Sequence, residues 1–137
     1  MKTVADVCET HWEAWKSDCS GFVKAVAADL GITLHGPANL MIDSLSKAPW
    51  EDLGTDAKKA VQRASSRHLV IAGLKASGHG HVAIIVPGSA NPWPHAYWGQ
   101  LGGVGRKNTT INWSWGAADR AKVKYYSRSI PTPIAVQ

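Results

Sequence analysis

The stretch Asp-Cys-Ser-Gly-Phe-Val, residues 18–23, joins a polar helix start to an apolar helical stripe. Ser17 or Asp18 can cap a helix, and apolar residues then recur at helical spacing until Gly31, so the pattern predicts a helix over residues 19–30. The first residue of this helix is Cys19. A thiolate at a helix N-terminus lies among unpaired N–H groups and the positive end of the helix dipole, which lower its pKa. The stretch therefore predicts a positioned nucleophile.

A histidine that can serve as the base begins an apolar run later in the chain. His81 opens residues 81–86, which read as a buried strand, and Gly78 and Gly80 leave room beside the ring. In a Cys/His hydrolase the imidazole takes the thiol proton, the thiolate attacks a carbonyl carbon, and the imidazolium then protonates the leaving amine. Each residue alone has a plainer interpretation, as an inert buried thiol or a satisfied strand histidine. The prediction that Cys19 and His81 are the catalytic pair rests on their conjunction.

The composition favours one folded domain over residues 1–137, since 45% of the residues are hydrophobic and 18% are charged. The net charge of +5 would suit a polyanionic partner, but the fifteen Lys and Arg residues are scattered and are predicted to lie on solvated faces. Two cysteines make no disulfide framework, and Cys8 is expected in the core. Asp6 interrupts the N-terminus before a signal sequence could form, so synthesis in the cytoplasm without a cleaved signal is expected.

The hydrophobic pattern predicts helices in the first half of the chain and strands in the second. Helices are expected at residues 3–16, 19–30 and 55–66, together with a short helix capped by Asn39 and a helical turn at residues 117–121. Strands are expected at residues 69–72, 81–86, 95–101, 109–114 and 123–129, with a flexible glycine-rich connection at residues 102–108. Helices followed by antiparallel strands define an α+β fold.

Several separated motifs resemble a known family of enzymes. Residues 18–23 on a helix, followed by a strand that opens Gly-His-Val-Ala-Ile at residues 80–84, look like the NlpC-type papain-like cysteine peptidases of bacterial cell-wall peptides. A closer resemblance, to the first family of type VI secretion amidase effectors, covers nearly the whole chain. It is carried, in order and spacing, by residues 19–31, 69–75 and 80–83 and by Tyr125-Tyr126.

The resemblance implies a papain-like (NlpC-type) fold with N-terminal helices packed on an antiparallel sheet. It implies a DL-endopeptidase that hydrolyses the bond between D-glutamate and meso-diaminopimelate in peptidoglycan stem peptides, without a cofactor or a metal. The family's nucleophile falls on Cys19 and its base on His81. The expected partners are peptidoglycan, the type VI secretion apparatus and a cognate immunity protein that occludes the cleft, and no nucleic acid is expected. The protein is expected to be a monomer that acts in the periplasm of a rival cell.

The sequence also offers candidates for the residues that surround the predicted pair. His95, Tyr97 and Gln100 are candidates for the group that orients His81, because alternation places His95 and Tyr97 on one face of their strand. If Trp98 occupies the facing position, a backbone carbonyl must orient the ring instead. The oxyanion hole and substrate groove are expected from the Cys19 N–H with Ser17, Asp18, Ser20 and Gly80.

Two other interpretations remain open at this point, and a third is disfavoured. A basic, tryptophan-rich binding module for cell wall or polyanions would leave the cysteine incidental. A papain-like acyltransferase or deamidase would use the same pair on another substrate. A zinc site of His79, His81 and His95 is disfavoured because the chain has no HExxH motif or matched carboxylate.

Overall fold

The structure, a computed structural model, describes residues 2–131. Its helices are α1 (Val4–Trp15), α2 (Cys19–Asp29), α3 (Ala38–Leu45), α4 (Ala57–Ala64) and α5 (Ala117–Arg120), and a 3-10 turn covers Ile111–Trp113. Its strands are β1 (Glu51–Asp52), β2 (His68–Leu74), β3 (His81–Ile85), β4 (His95–Trp98), β5 (Arg106–Thr110) and β6 (Lys124–Ser129). In this part of the chain no helix is long and apolar enough to cross a membrane.

The strands form one antiparallel sheet, which confirms the predicted α+β fold class. Among the described residues the strand order is β1-β6-β2-β3-β4-β5. The β2–β3 hairpin pairs Gly73 with Val82 and Leu74 with His81, so His81 lies at the end of the sheet where the hairpin loop begins. This arrangement is consistent with a papain-like fold.

The two faces of the sheet bury separate apolar clusters because side chains of a strand alternate between faces. Val82 and Ile84 of β3 pack with α1, α2 and α3, whereas Ala83 and Ile85 pack with α4 and the segment from Ile111 to Trp115. By the same alternation His81 belongs to the second face. Its neighbour Trp115, buried there, confirms the assignment.

The first two helices begin where their capping residues predict. Thr3 and Asp6 form a reciprocal capping box at the start of α1. Asp18 caps α2, since its Oδ1 accepts a hydrogen bond of 3.0 Å from the Gly21 N–H. Asp18 rather than Ser17 is therefore the cap, and Cys19 is the first helical residue.

Three elements differ from the sequence predictions. Strand β5 begins at Arg106, inside the predicted flexible connection, and ends at Thr110. The chain then turns at residue 111, where the Ser114 and Trp115 N–H groups both donate to the Ile111 carbonyl. Strand β1 is two exposed acidic residues with no apolar alternation to reveal it. Helix α3 begins after Pro37, so Asn39 is not its cap.

Candidate active site

The N-terminus of α2 is fixed against the loop that follows β4. The Lys16 carbonyl accepts hydrogen bonds from the Gln100 N–H at 3.0 Å and the Gly105 N–H at 2.7 Å. A Cβ on Gly99 would collide with the backbone of Trp15 and Asp18, so only glycine allows this approach. These contacts hold the start of α2, and with it Cys19, beside β3.

The Cys19 sulfur lies close to the backbone of β3 because β4 ends early. Val86 N–H donates to the His95 carbonyl of β4, and alternate N–H groups of a strand point the same way, so the Val82 N–H also points toward the β4 side. The register that pairs Ile84 with Tyr97 places Gly99 opposite Val82, but β4 has already ended at Trp98. The Val82 N–H is thereby left for the Cys19 sulfur.

Burial, not the helix dipole, decides the sign of the thiol's pKa shift. It raises the pKa of Cys19, and the charge of Asp18 adds to the rise, while the N–H groups of Val82, Ser20 and Cys19 itself lower it in part. The expectation of a lowered pKa from the helix N-terminus is therefore wrong. Cys19 is 8% exposed, and the raised pKa keeps its thiol protonated at neutral pH.

His81 is held in an apolar environment that disfavours its charged form. Burial lowers the pKa of its imidazole to about 4. The ring packs edge-on against the Trp115 indole, with 5.0 Å between the ring centroids and 66° between their planes. Its Nε2 is enclosed and has no hydrogen-bond partner within residues 2–131, whereas Nδ1 is not enclosed in this way. A neutral imidazole is the form that can accept a proton.

Cys19 and His81 line the same open pocket, of about 320 Å³. Its walls are Leu74, Leu101 and Trp115, and its polar lining includes His79, Gln100, Ser114 and Asp119. A second depression, of about 210 Å³, adjoins it at Cys19, His79, Gly80 and Leu101 and extends past Asp18 and Ser20 to the start of α3. In the part of the chain that the structure describes, no hydrogen bond joins the thiol to the imidazole, and such bonds are often long before substrate binds.

Three of the four residues predicted to form the groove beside Cys19 line the depression there, and the fourth does not. Asp18, Ser20 and Gly80 all line the depression next to Cys19, but Ser17 is exposed and lies outside its lining. Asp18 caps α2, so its carboxylate is occupied by the Gly21 N–H and by the Ser20 hydroxyl at 3.3 Å. Ser20 and Cys19 keep their backbone N–H groups directed toward the sulfur.

The structure corrects the prediction that His95 or Tyr97 orients His81. His95 is opposite Val86, at the far end of β3, where its carbonyl accepts the Val86 N–H. Tyr97 lies on the sheet face that packs against α1, and its hydroxyl donates to Glu9 Oε2 at 2.6 Å. Both side chains face away from the imidazole, because His81 belongs to the other face. Gln100 does line the pocket, with an exposed side chain.

Asn39 has a role that the sequence did not reveal. Its amide Nδ2 donates to the Ala76 carbonyl at 2.8 Å, and its Oδ1 accepts from the Ala76 N–H at 3.2 Å. A Cβ on Gly80 would collide with this Oδ1. Asn39 thus ties α3 to the loop that leads into His81, and Gly80 is required for that contact. Only the long-range pairing of α3 with the loop could have shown this.

No group of three or more His, Cys, Asp or Glu side chains that could hold a metal ion occurs within residues 2–131. Cys8 is fully buried in the core, as predicted, and both cysteines are free thiols.

Fold and site together define a class: an antiparallel α+β protein that presents a helix-terminal cysteine and a strand histidine in one open pocket. No protein-family model matches the chain. It is 34% identical to the peptidoglycan amidase Tse1 of Pseudomonas aeruginosa over 140 aligned residues, which cover 93% of this chain and 90% of that protein. The chain belongs to the family of this amidase.

The pH dependence of His81 is open to direct measurement. The ring is expected to titrate at about 4, well below the ~6.5 of an exposed imidazole, because burial disfavours its charge. As the pH falls, the unfolded chain binds this proton before the folded protein does. The fold therefore loses stability as the pH drops from ~6.5 to about 4.

An NMR titration of the His81 ring nitrogens in the wild-type protein and in Cys19→Ala measures this shift. If burial is its cause, both proteins give the same low midpoint. A wild-type midpoint at or above ~6.5 that drops in Cys19→Ala would instead show a thiolate–imidazolium pair, and would contradict the neutral resting state.

Proposed function

We propose that this protein is a peptidoglycan amidase, a cysteine hydrolase that cleaves the bond between D-glutamate and meso-diaminopimelate in stem peptides. The observation that carries the proposal is the placement of Cys19 and His81 in one pocket. Membership of the family that includes a peptidoglycan amidase supports the substrate class.

The first half of the reaction forms a covalent acyl-enzyme. His81, neutral at pH 7, accepts the thiol proton of Cys19 as the sulfur attacks the γ-carbonyl carbon of D-glutamate. The Cys19 N–H, at the first residue of α2, is the donor that would stabilise the oxyanion. The imidazolium then donates its proton to the leaving amine of diaminopimelate as the carbon–nitrogen bond breaks. Because burial disfavours this imidazolium, the proton is readily passed on.

The second half releases the product. A water molecule gives a proton to His81 and attacks the thioester carbon, and the carbon–sulfur bond breaks. The imidazolium returns the proton to the sulfur. The products are a stem peptide that ends in D-glutamate and a peptide with a new diaminopimelate amine. The open pocket suits an extended polymer because the substrate can enter from the surface.

The wider role follows as part of the same proposal. The protein is an antibacterial effector, delivered by a type VI secretion apparatus to the periplasm of a rival cell, and a cognate immunity protein occludes the pocket. Large apolar side chains beside the pocket support a protein partner there: Leu101 in its wall is 55% exposed, and Leu40, next to Asn39, is 60% exposed. Exposed apolar groups around a cleft are typical of a binding surface.

A digestion of diaminopimelate-type peptidoglycan in H₂¹⁸O tests the activity and the bond together. Mass spectrometry of the muropeptides is expected to show fragments ending in D-glutamate, with one ¹⁸O in the newly formed carboxyl group. Intact stem peptides, or a cut at another bond, would contradict the proposal. Cleavage without ¹⁸O incorporation, with the acyl group moved to an added amine, would instead indicate an acyltransferase.

A further inference from the structure

Two buried polar atoms at the pocket have no partner. Within residues 2–131 the buried side-chain atoms without a hydrogen bond are His81 Nε2, His95 Nδ1, Ser114 Oγ and Ser127 Oγ. Leaving such groups unpaired is costly, and each calls for an explanation. His81 and Ser114 line the same pocket, whereas His95 and Ser127 line neither of the two depressions around Cys19.

Backbone hydrogen bonds fix Ser114 next to Trp115, and both residues line the pocket of His81. The Ser114 N–H donates to the Ile111 carbonyl at 2.9 Å, and the next residue, Trp115, donates to the same carbonyl at 3.0 Å. The Trp115 ring contacts the His81 ring directly, and its carbonyl accepts from Arg120 Nη1 at 3.1 Å. Ser114 is thus the residue beside the indole that packs on the imidazole.

The two atoms have matching hydrogen-bond chemistry. A neutral imidazole carries one N–H and one acceptor nitrogen, and a serine hydroxyl can accept from the former. The two atoms are not bonded to each other in this structure. We propose that Ser114 is the positioning residue for His81: a rotation of the serine side chain lets its Oγ accept the His81 Nε2–H. This inference rests on the proposed function, because it assigns a role within the same reaction.

The consequence is a fixed tautomer. With the proton held on Nε2, the lone pair of Nδ1 is free to take the thiol proton of Cys19. Without the hydroxyl, the ring can carry its proton on either nitrogen and can rotate, so a fraction of the molecules has no base. Ser114 then contributes to kcat through His81.

Ser114→Thr and Ser114→Val test this directly, since the two side chains have nearly the same shape and only threonine keeps the hydroxyl. We expect Ser114→Thr to retain most of the wild-type kcat and Ser114→Val to lose about tenfold relative to it, the worth of roughly one hydrogen bond, with KM unchanged. Ser127→Ala, which removes an equally buried and unpartnered hydroxyl on β6, is the matched control and keeps its kcat.

A spectroscopic readout separates this role from a structural one. Long-range ¹H–¹⁵N NMR of the His81 ring is expected to show the Nε2–H tautomer in the wild type and Ser114→Thr, and a mixture in Ser114→Val and in Ser114→Ala, which adds no atoms. Equal kcat values for Thr and Val, or an unchanged tautomer in Ser114→Ala, would overturn the proposal. The NMR comparison needs no substrate, so it still decides the role of Ser114 if the wild type proves unable to cut peptidoglycan.

Discussion

Replacing Cys19 with alanine is expected to lower the rate of peptidoglycan hydrolysis by at least about a thousandfold, because the variant lacks the sulfur that forms the acyl-enzyme in the proposed mechanism. The fold should survive, since Cys19 is a small side chain at a helix start and Asp18 still caps α2 through Gly21. Muropeptide release and a thermal melt measure the two effects.

Cys8→Ala is the matched control for Cys19→Ala. Cys8 is fully buried in α1, and burial raises the pKa of its thiol well above the ordinary value. This variant should keep its hydrolytic rate and lose about 1 kcal/mol of stability to the cavity left by the sulfur. If activity survived in Cys19→Ala, or were lost in Cys8→Ala with the fold intact, the assignment of Cys19 as the nucleophile would be wrong.

Replacing His81 with alanine should have a comparable effect on hydrolysis, about a thousandfold or more, because the thiol would lose its base and the leaving amine its acid. Alkylation of Cys19 by iodoacetamide should respond differently. The causes that set the pKa of this thiol are burial, the N–H groups of Val82 and Ser20 and the charge of Asp18. The imidazole is not one of them, so the pH midpoint of alkylation should stay near its wild-type value.

The contrast between the two assays identifies what His81 does. If His81 stabilised a resting thiolate, its removal would raise the alkylation midpoint as well as stop hydrolysis. His95→Gln is the control: His95 lies at the far end of β3, and its loss should leave both assays unchanged. If His95→Gln greatly lowered the rate of hydrolysis, His95 would again be a candidate for the residue that orients His81.

The local pattern was sufficient for much of the fold. The apolar stripe after Asp18 predicted α2 almost to the residue, because caps and helical periodicity are properties of neighbouring residues. Strand β3 was equally clear from its continuous apolar run. The strand predicted at residues 109–114 is correct only for its first two residues, since β5 ends at Thr110. The rest of the prediction was wrong because Ile111 and Trp115 pack inward against distant segments of the core.

The sequence by itself was enough to predict which two residues form the pair, since a cysteine at a capped helix start and a histidine that opens a buried strand are both visible in the local pattern. Only the tertiary structure decided their chemical state and surroundings. Burial reverses the expected shift of the Cys19 pKa. Tyr97 lies on the opposite face of the sheet from His81 and so cannot orient it, whereas Ser114 and Trp115 line the pocket of His81. Desolvation and strand register depend on contacts between distant segments, so no local pattern contains them.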